Sequence, residues 1–191
     1  MSAALYAVGT SILYGRTGVC QIEDISPAPD HRRDGQRYYK LRAVFSTSGE
    51  RIYIPVDAAV SMRPLIGGGE ASDYLERFPR LKPQAFASRK PADLIAHYQD
   101  VLASCQPENC LLLLKEIYLK GKELTARNKK LGQVDSRYLK IAERLVCEEF
   151  AVALQTAPDS IRKRLYAAMD QEAAKAADRS KTRPMEAGGI S

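Results

Sequence analysis

The chain has 191 residues, a length that allows one or two domains. Its hydrophobic fraction of 45% and charged fraction of 27% are ordinary for a soluble globular protein, and no apolar run reaches the roughly 18 residues that a membrane span needs. The formal net charge of +6 allows a polyanionic partner but does not require one.

Short strands separated by glycines are predicted for the first third of the chain. Gly9 precedes the first strand, and Gly15 and Gly18 form a tight turn that sends the chain back. Two further strands are predicted at 37–45 and 51–56. Four short strands within about fifty residues predict a small curled antiparallel sheet.

Apolar and polar side chains alternate along the last two of these strands. Strand 37–45 is predicted to bury Tyr39, Leu41, Ala43 and Phe45 on one face. Strand 51–56 is predicted to bury Ile52, Ile54 and Val56, with Arg51 and Tyr53 outward. Only one face of the sheet is expected to be buried, so the other face or an edge is left for a partner. Tyr53 either contacts that partner or pairs across the strands.

Prolines and glycines separate the sheet from a helical region. A polar loop at 26–36 carries the cationic tip His31-Arg32-Arg33, which is either solvated or in contact with an acidic partner. The run Gly67-Gly68-Gly69 is predicted to be a hinge because glycine has high chain entropy. A short helix is predicted at 70–78, within a linker at 66–83.

Apolar residues at helical spacing predict further helices at 90–104, 108–130, 135–154 and from 158 to about 177. Asp135 is predicted to be the N-cap of the third of these. Three consecutive amphipathic helices can bury a shared core, so we predict a helical domain at 84–168 and a frayed or disordered tail at 169–191. The excess of cations is concentrated between Lys115 and Arg144, as a solvated helix face or a phosphate contact.

The sequence offers little for catalysis. It contains only two histidines, His31 and His97, and no glycine-rich phosphate loop or nucleophile elbow. Cys105 and Cys110 lie near His97 in sequence, but their spacing is wider than that of a zinc knuckle and a fourth ligand is missing. We therefore predict no enzyme, no metal and no cofactor. The four cysteines are predicted to be free thiols of a cytoplasmic protein without a signal peptide.

Nine segments are informative through their order and spacing: 6–10, 14–19, 22–25, 38–41, 52–56, 62–64, 115–120, 129–131 and 135–143. Together they resemble the CarD/CdnL transcription regulators, whose N-terminal module is shared with the transcription-repair coupling factor. The resemblance covers about residues 6–155. It implies an α+β fold with a small Tudor-like antiparallel β-barrel at 1–65, followed by an all-α domain.

The resemblance also implies a partner for the barrel. Family members dock on the β subunit of bacterial RNA polymerase near the upstream edge of the transcription bubble, partly by adding a strand edge to a polymerase sheet. The predicted polymerase-binding residues are Arg51, Ile52, Tyr53, Ile54 and Pro55.

The helical domain of the family lies along promoter DNA and stabilises the open complex. The residues that match its contacts to phosphates and the minor groove near the bubble edge are Phe86, Arg89, Lys90, Lys120 and Arg137. Related proteins wedge a Trp into the minor groove, but this chain has no Trp. Phe86 is either a weaker wedge, since it has less area and no indole N–H, or an interdomain packing residue.

The resulting prediction is a monomeric transcription regulator that binds RNA polymerase and promoter DNA, with no membrane contact. The alternative is a protein–protein adaptor whose helices bind protein and make no direct DNA contact. The missing Trp favours the adaptor slightly.

Overall fold

A computed structural model of the protein describes residues 6–27, 36–57 and 62–181, with side chains through residue 175. The chain forms an antiparallel five-stranded sheet followed by five helices, which confirms an α+β fold. The predicted tip at 31–33 and the last residues of the predicted tail, 182–191, lie outside the described residues. Within the described residues, no helix is both long and apolar enough to cross a membrane.

The strands are β1 (Ser11–Tyr14), β2 (Gly18–Ser26), β3 (Tyr38–Ala43), β4 (Arg51–Pro55) and β5 (Met62–Pro64). They lie in the order β4-β3-β2-β1-β5, so β4 and β5 are the two edges. A 3₁₀ turn, Gly15–Thr17, joins β1 to β2. The sequence did not predict β5, because three residues ending in a proline carry almost no alternation. A prediction of four strands is therefore corrected to five.

One apolar cluster lies within the sheet. Its buried members are Ile12, Cys20, Ile22, Tyr39, Leu41 and Ile54. The predicted alternation of β3 and β4 is confirmed for Tyr39, Leu41 and Ile54. It is wrong for Phe45, which is 39% exposed because β3 ends at Ala43 and the chain turns before that ring.

The opposite face of the sheet is also covered, at β1 and β2. Leu13 and Val19 point away from the first cluster and belong to a second, larger one that continues through all five helices. The prediction that only one face is buried is therefore wrong at this end of the sheet. The larger cluster is the main source of stabilisation, because burial of apolar area dominates the folding free energy.

The helices are α1 (Gly68–Arg77), α2 (Pro91–Ala103), α3 (Pro107–Ala126), α4 (Gln133–Ala153) and α5 (Pro158–Lys181). The predicted glycine hinge is wrong. Gly67 precedes α1, and Gly68 lies in its first turn, where an added Cβ would be 3.0 Å from the carbonyl oxygen of Ala153 on α4. Because Gly68 has no Cβ, α1 and α4 can pack closely, and the segment is fixed.

The predicted N-cap at Asp135 is also wrong. Gly132 precedes α4, and Asp135 lies inside its first turn with its side chain 5% exposed. The Asp135 carboxylate instead accepts a hydrogen bond from the hydroxyl of Tyr98 (2.6 Å) and an ion pair from Lys120 (2.9 Å). The Asp135 carboxylate is thus satisfied by two side chains and not by the free backbone amides of the first turn of α4.

Polar contacts fasten the sheet to α4. Arg63 of β5 forms a bidentate ion pair with Glu149, and its Nε donates to the carbonyl of Cys105 (2.5 Å). Glu149 also accepts from the amide of Ile66 (3.1 Å). Arg144 donates to the carbonyl oxygens of Arg16 and Thr17 at 2.5 and 2.7 Å. The sheet and the helices therefore pack as one unit.

Candidate functional site

Among the strands of the described ranges, β4 is an edge of the sheet with a defined set of outward backbone groups. Its neighbour β3 pairs Lys40 with Tyr53, and the amide of Val56 donates to the carbonyl of Arg37 (3.0 Å). Hydrogen-bonded pairs alternate with non-hydrogen-bonded pairs along an antiparallel ladder. The amides and carbonyls of Arg51 and Tyr53 therefore point away from β3.

The position of Pro55 agrees with this phase. It also lies in a non-hydrogen-bonded pair, opposite Tyr38. Proline has no N–H to donate, so it is tolerated in a strand where that group faces away from the ladder. The outward edge of β4 thus presents two amides and three carbonyls over five residues.

The side chains of β4 divide between the core and the surface as predicted. Ile54 is 3% exposed and Ile52 packs against the same cluster, so these two residues hold the strand in place. Tyr53 is 37% exposed. Arg51 lies on the outward face as well, where its Nε is 2.5 Å from a carboxylate oxygen of Glu23.

Glu23 is a feature of this face that sequence analysis missed. The register between β2 and β3 shifts between Ile22 and Asp24, so Glu23 is the extra residue of a β-bulge. A bulge changes which face a side chain occupies, and simple alternation cannot assign it. Glu23 pairs with Arg42 at 3.0 Å and with Arg51, giving a fixed, net cationic patch beside the edge.

The predicted wedge Phe86 lies in the extended segment before α2, and its ring is partly buried. It stacks on the imidazole of His97, with ring centroids 4.2 Å apart and planes 19° apart. Its amide donates to Glu116 (3.1 Å), whose other carboxylate oxygen is 3.4 Å from His97 Nε2. The ring is thus packed against α2, within the helical part of the chain and not between the sheet and the helices.

The four predicted cations differ in their surroundings. Arg89, Lys90 and Arg137 are exposed, and their side chains make no ion pair within the described part of the chain. Lys120 is bound to Asp135, so an acidic partner inside the protein already compensates its charge. The structure therefore separates one internally paired cation from three exposed ones.

Arg137 and Arg16 are distant in sequence but line the same cleft. A cleft of about 500 Å³ is lined by Arg137 and Arg144 of α4 and by Tyr14 and Arg16 of the β1–β2 connection. Sequence analysis missed Arg16 and Arg144 as members of one site, because they are 128 residues apart in the chain.

No feature of the described residues resembles a catalytic centre. All four cysteines are buried and unpaired, as predicted for free thiols. Burial raises the pKa of Cys110 and of Cys147 to about 12, so both are thiols at neutral pH. Among the described residues, no group of three His, Cys, Asp or Glu side chains could hold a metal ion.

Residues 6–66 match the family model described as the CarD-like/TRCF RID domain. The match includes all five strands and ends just before α1. No curated protein matches the chain. The resemblance of the helical part, out to about residue 155, stays a prediction. The match of residues 6–66 is evidence for an interaction with RNA polymerase. The chain therefore carries a CarD-like/TRCF RID domain at residues 6–66.

Proposed function

We propose that this protein is a non-enzymatic transcription regulator that binds the RNA polymerase β subunit through the edge of β4. In this proposal its helical part contacts upstream promoter DNA and stabilises the open complex. The observation that carries the proposal is the outward edge of β4, which pairs with no further strand of the described residues and lies inside a segment that matches the CarD-like/TRCF RID domain.

The edge suits strand addition for physical reasons. Backbone amides and carbonyls of Arg51 and Tyr53 face outward, and a strand from a partner can satisfy them as an additional member of the sheet. Tyr53 supplies a large aromatic contact at low entropy cost, a property typical of protein interfaces. Ile52 and Ile54 anchor the strand on the core side, so the strand loses little conformational freedom on binding.

The DNA half of the proposal is carried by exposed cations. Arg89 and Lys90 precede α2, and Arg137 lies in an early turn of α4. In this proposal they neutralise phosphates and Phe86 lies at the edge of the transcription bubble. Lys120 is included as well, but its partner Asp135 already compensates its charge, so we expect it to contribute least to the salt dependence of binding.

Further parts of the proposal follow from the resemblance. The sheet is a Tudor-like module at 1–65, open between its edges β4 and β5. Residues 66–83 join it to a helical domain that begins at 84 and includes Met169 of α5, whose side chain is buried in the core. The protein acts as a monomer in the bacterial cytoplasm, where its polymerase partner is found.

The experiment that tests the edge compares Tyr53→Pro with Tyr53→Ala in binding to purified RNA polymerase. Proline removes one outward amide and adds a ring at the edge, while the hydrogen bonds between β4 and β3 stay intact. We expect Tyr53→Pro to weaken binding by at least about tenfold, equivalent to about 1.4 kcal/mol. Tyr53→Ala keeps the amide and should cost less.

Both variants must first melt at temperatures within a few degrees of the unsubstituted protein. Ile54→Asp is unsuitable as the test, because Ile54 is 3% exposed and a carboxylate there would destabilise the sheet itself. Equal binding by Tyr53→Pro and the unsubstituted protein would exclude strand addition at β4.

A second candidate is a protein–protein adaptor with no direct DNA contact. Two observations favour it: Phe86 is packed on His97, and Lys120 is paired with Asp135. Salt separates the two functions. A contact to several phosphates weakens steeply as salt rises, whereas an apolar helix contact changes little.

A further inference from the structure

A cleft at the junction of the sheet and the helices brings three arginines together. We infer that Arg16, Arg137 and Arg144 form a composite site for a backbone phosphate of nucleic acid, so that the domain at 6–66 contributes a residue to the DNA contact. This inference rests on the proposed function and adds a site to it.

The sequence around the 3₁₀ turn creates the cleft. Gly15 has a φ of +43° and Gly18 a φ of +95°, values that glycine adopts without strain. These two residues bracket Arg16 and hold it at the tip of the turn, which contacts both α2 and α4. Arg16 is exposed, and its side chain forms no ion pair within the described ranges.

Helix α4 supplies the other two arginines. Arg137 and Arg144 are seven residues apart, which is about two helical turns, so both face the same side. Two backbone carbonyls of the turn fix Arg144, at 2.5 Å (Arg16) and 2.7 Å (Thr17). A guanidinium that is already oriented loses little freedom when it binds an anion.

The charge and shape of the cleft favour a phosphodiester. Three cations border it, and the nearby carboxylate of Glu148 is 3.9 Å from Arg144. Arginine forks match the oxygens of a phosphate group in geometry. Tyr14 and Ile141 add apolar wall, which suits the sugar of a nucleotide chain better than a fully hydrated free ion.

The cleft lies where one DNA duplex could contact both its arginines and the predicted DNA-binding residues before α2. Arg16 also borders residues of the last turn of α2, namely Gln99 and Leu102, whereas Arg89 and Lys90 precede the first turn. A helix of 13 residues is roughly 20 Å long, which equals roughly six base pairs of duplex DNA. A duplex that follows α2 could therefore reach both groups of cations.

The test uses Arg16→Gln and Arg137→Gln, with Arg164→Gln on the exposed surface of α5 as the matched control. Affinity is measured for RNA polymerase alone and for the polymerase–promoter complex, at several salt concentrations. We expect each cleft variant to lower affinity for the promoter complex three- to tenfold and to reduce the salt slope by about 0.9. Arg164→Gln should change neither quantity, and binding to polymerase alone should be unaffected.

Other results overturn the inference in distinguishable ways. If only Arg137→Gln weakens promoter binding, Arg16 does not contact a phosphate. The composite site is then wrong, while the proposed function stands. If Arg16→Gln weakens binding to polymerase alone, an acidic polymerase segment occupies the cleft. If inorganic phosphate at constant ionic strength raises the melting temperature of the unsubstituted protein but not of these variants, and promoter affinity is unchanged, the ligand is a free anion. If the unsubstituted protein does not bind polymerase, the proposed function fails first.

Discussion

The two ends of the sheet differ in the contacts that their backbone and side chains make inside the protein. At the β5 end, strands and helices share an apolar cluster, and Arg63 and Arg144 bind partners across the junction. At the β4 end, backbone groups face outward and Tyr53 is 37% exposed. An exposed edge is an aggregation hazard unless something covers or protects it. The difference indicates that one end serves folding and the other is available for binding.

The largest expected effect is at the β5 end. Glu149→Ala leaves Arg63 largely buried without its ion pair and also removes the acceptor of the Ile66 amide. Breaking a buried ion pair costs about 3–5 kcal/mol, so we expect a loss of that size in the free energy of unfolding. Urea unfolding measures it.

Arg51→Gln is the matched control at the β4 end, where Arg51 pairs with Glu23 in a more exposed setting. We expect it to cost less than about 1 kcal/mol. If the two variants destabilise the protein equally, the comparison between the two ends is wrong.

Gly18→Ala should have an intermediate effect. Gly18 has a φ of +95°, and an added Cβ would collide with the carboxylate of Glu148, which accepts a hydrogen bond from the amide of Val19. We expect a loss of about 2–3 kcal/mol in unfolding free energy, from backbone strain and the displaced carboxylate together.

Gly49→Ala is the comparison for a positive φ without such a contact. Gly49 also has a positive φ (+70°), but a Cβ there meets nothing within 4 Å. We expect about 1 kcal/mol for it. Equal losses for both glycine variants would mean that the contact with Glu148 contributes nothing to the junction.

The smallest expected effect is on pH dependence. Burial raises the pKa of Glu148 above its ordinary value of 4.5, although Arg144 and the Val19 amide act in the opposite direction. A raised pKa means that the folded state binds the proton more tightly than the unfolded state. This group therefore makes stability fall as pH rises from about 4.5 through the folded-state pKa.

Glu148→Gln keeps an acceptor for the Val19 amide but cannot ionise. Relative to the unsubstituted protein it should become progressively more stable between about pH 4.5 and neutral pH, by less than the loss in Gly18→Ala. Urea unfolding at several pH values measures this difference. A difference that is constant, or that runs the other way, would contradict the assignment.

Local patterns predicted most of the fold. Period-two alternation located β3 and β4, and helical spacing located α2, α3 and α4 within a few residues. The errors have physical causes. β5 is too short to alternate, and the contact of Gly68 with Ala153 joins segments that are distant in sequence. Asp135 was interpreted from local capping preference, but Tyr98 and Lys120 provide stronger partners from distant parts of the chain.

The candidate sites follow the same division. Local alternation predicted strand β4 and its buried face, whereas its role as the binding edge was implied by the family resemblance. The bulge at Glu23 and the cleft at Arg16 could not, since each depends on register or on contacts between distant segments. Lys120 looked like any other cation in sequence, and only its distance of 2.9 Å to Asp135 sets it apart.

Amide hydrogen exchange at Arg51 and Tyr53 tests the central claim most directly. The outward phase of β4 predicts fast exchange for both amides in the free protein, while the amides of Ile52 and Ile54, which face β3, are protected. On binding to the RNA polymerase β subunit, Arg51 and Tyr53 should become protected. If the protein binds the β subunit and both amides continue to exchange at their free rate, the edge of β4 is not the polymerase contact.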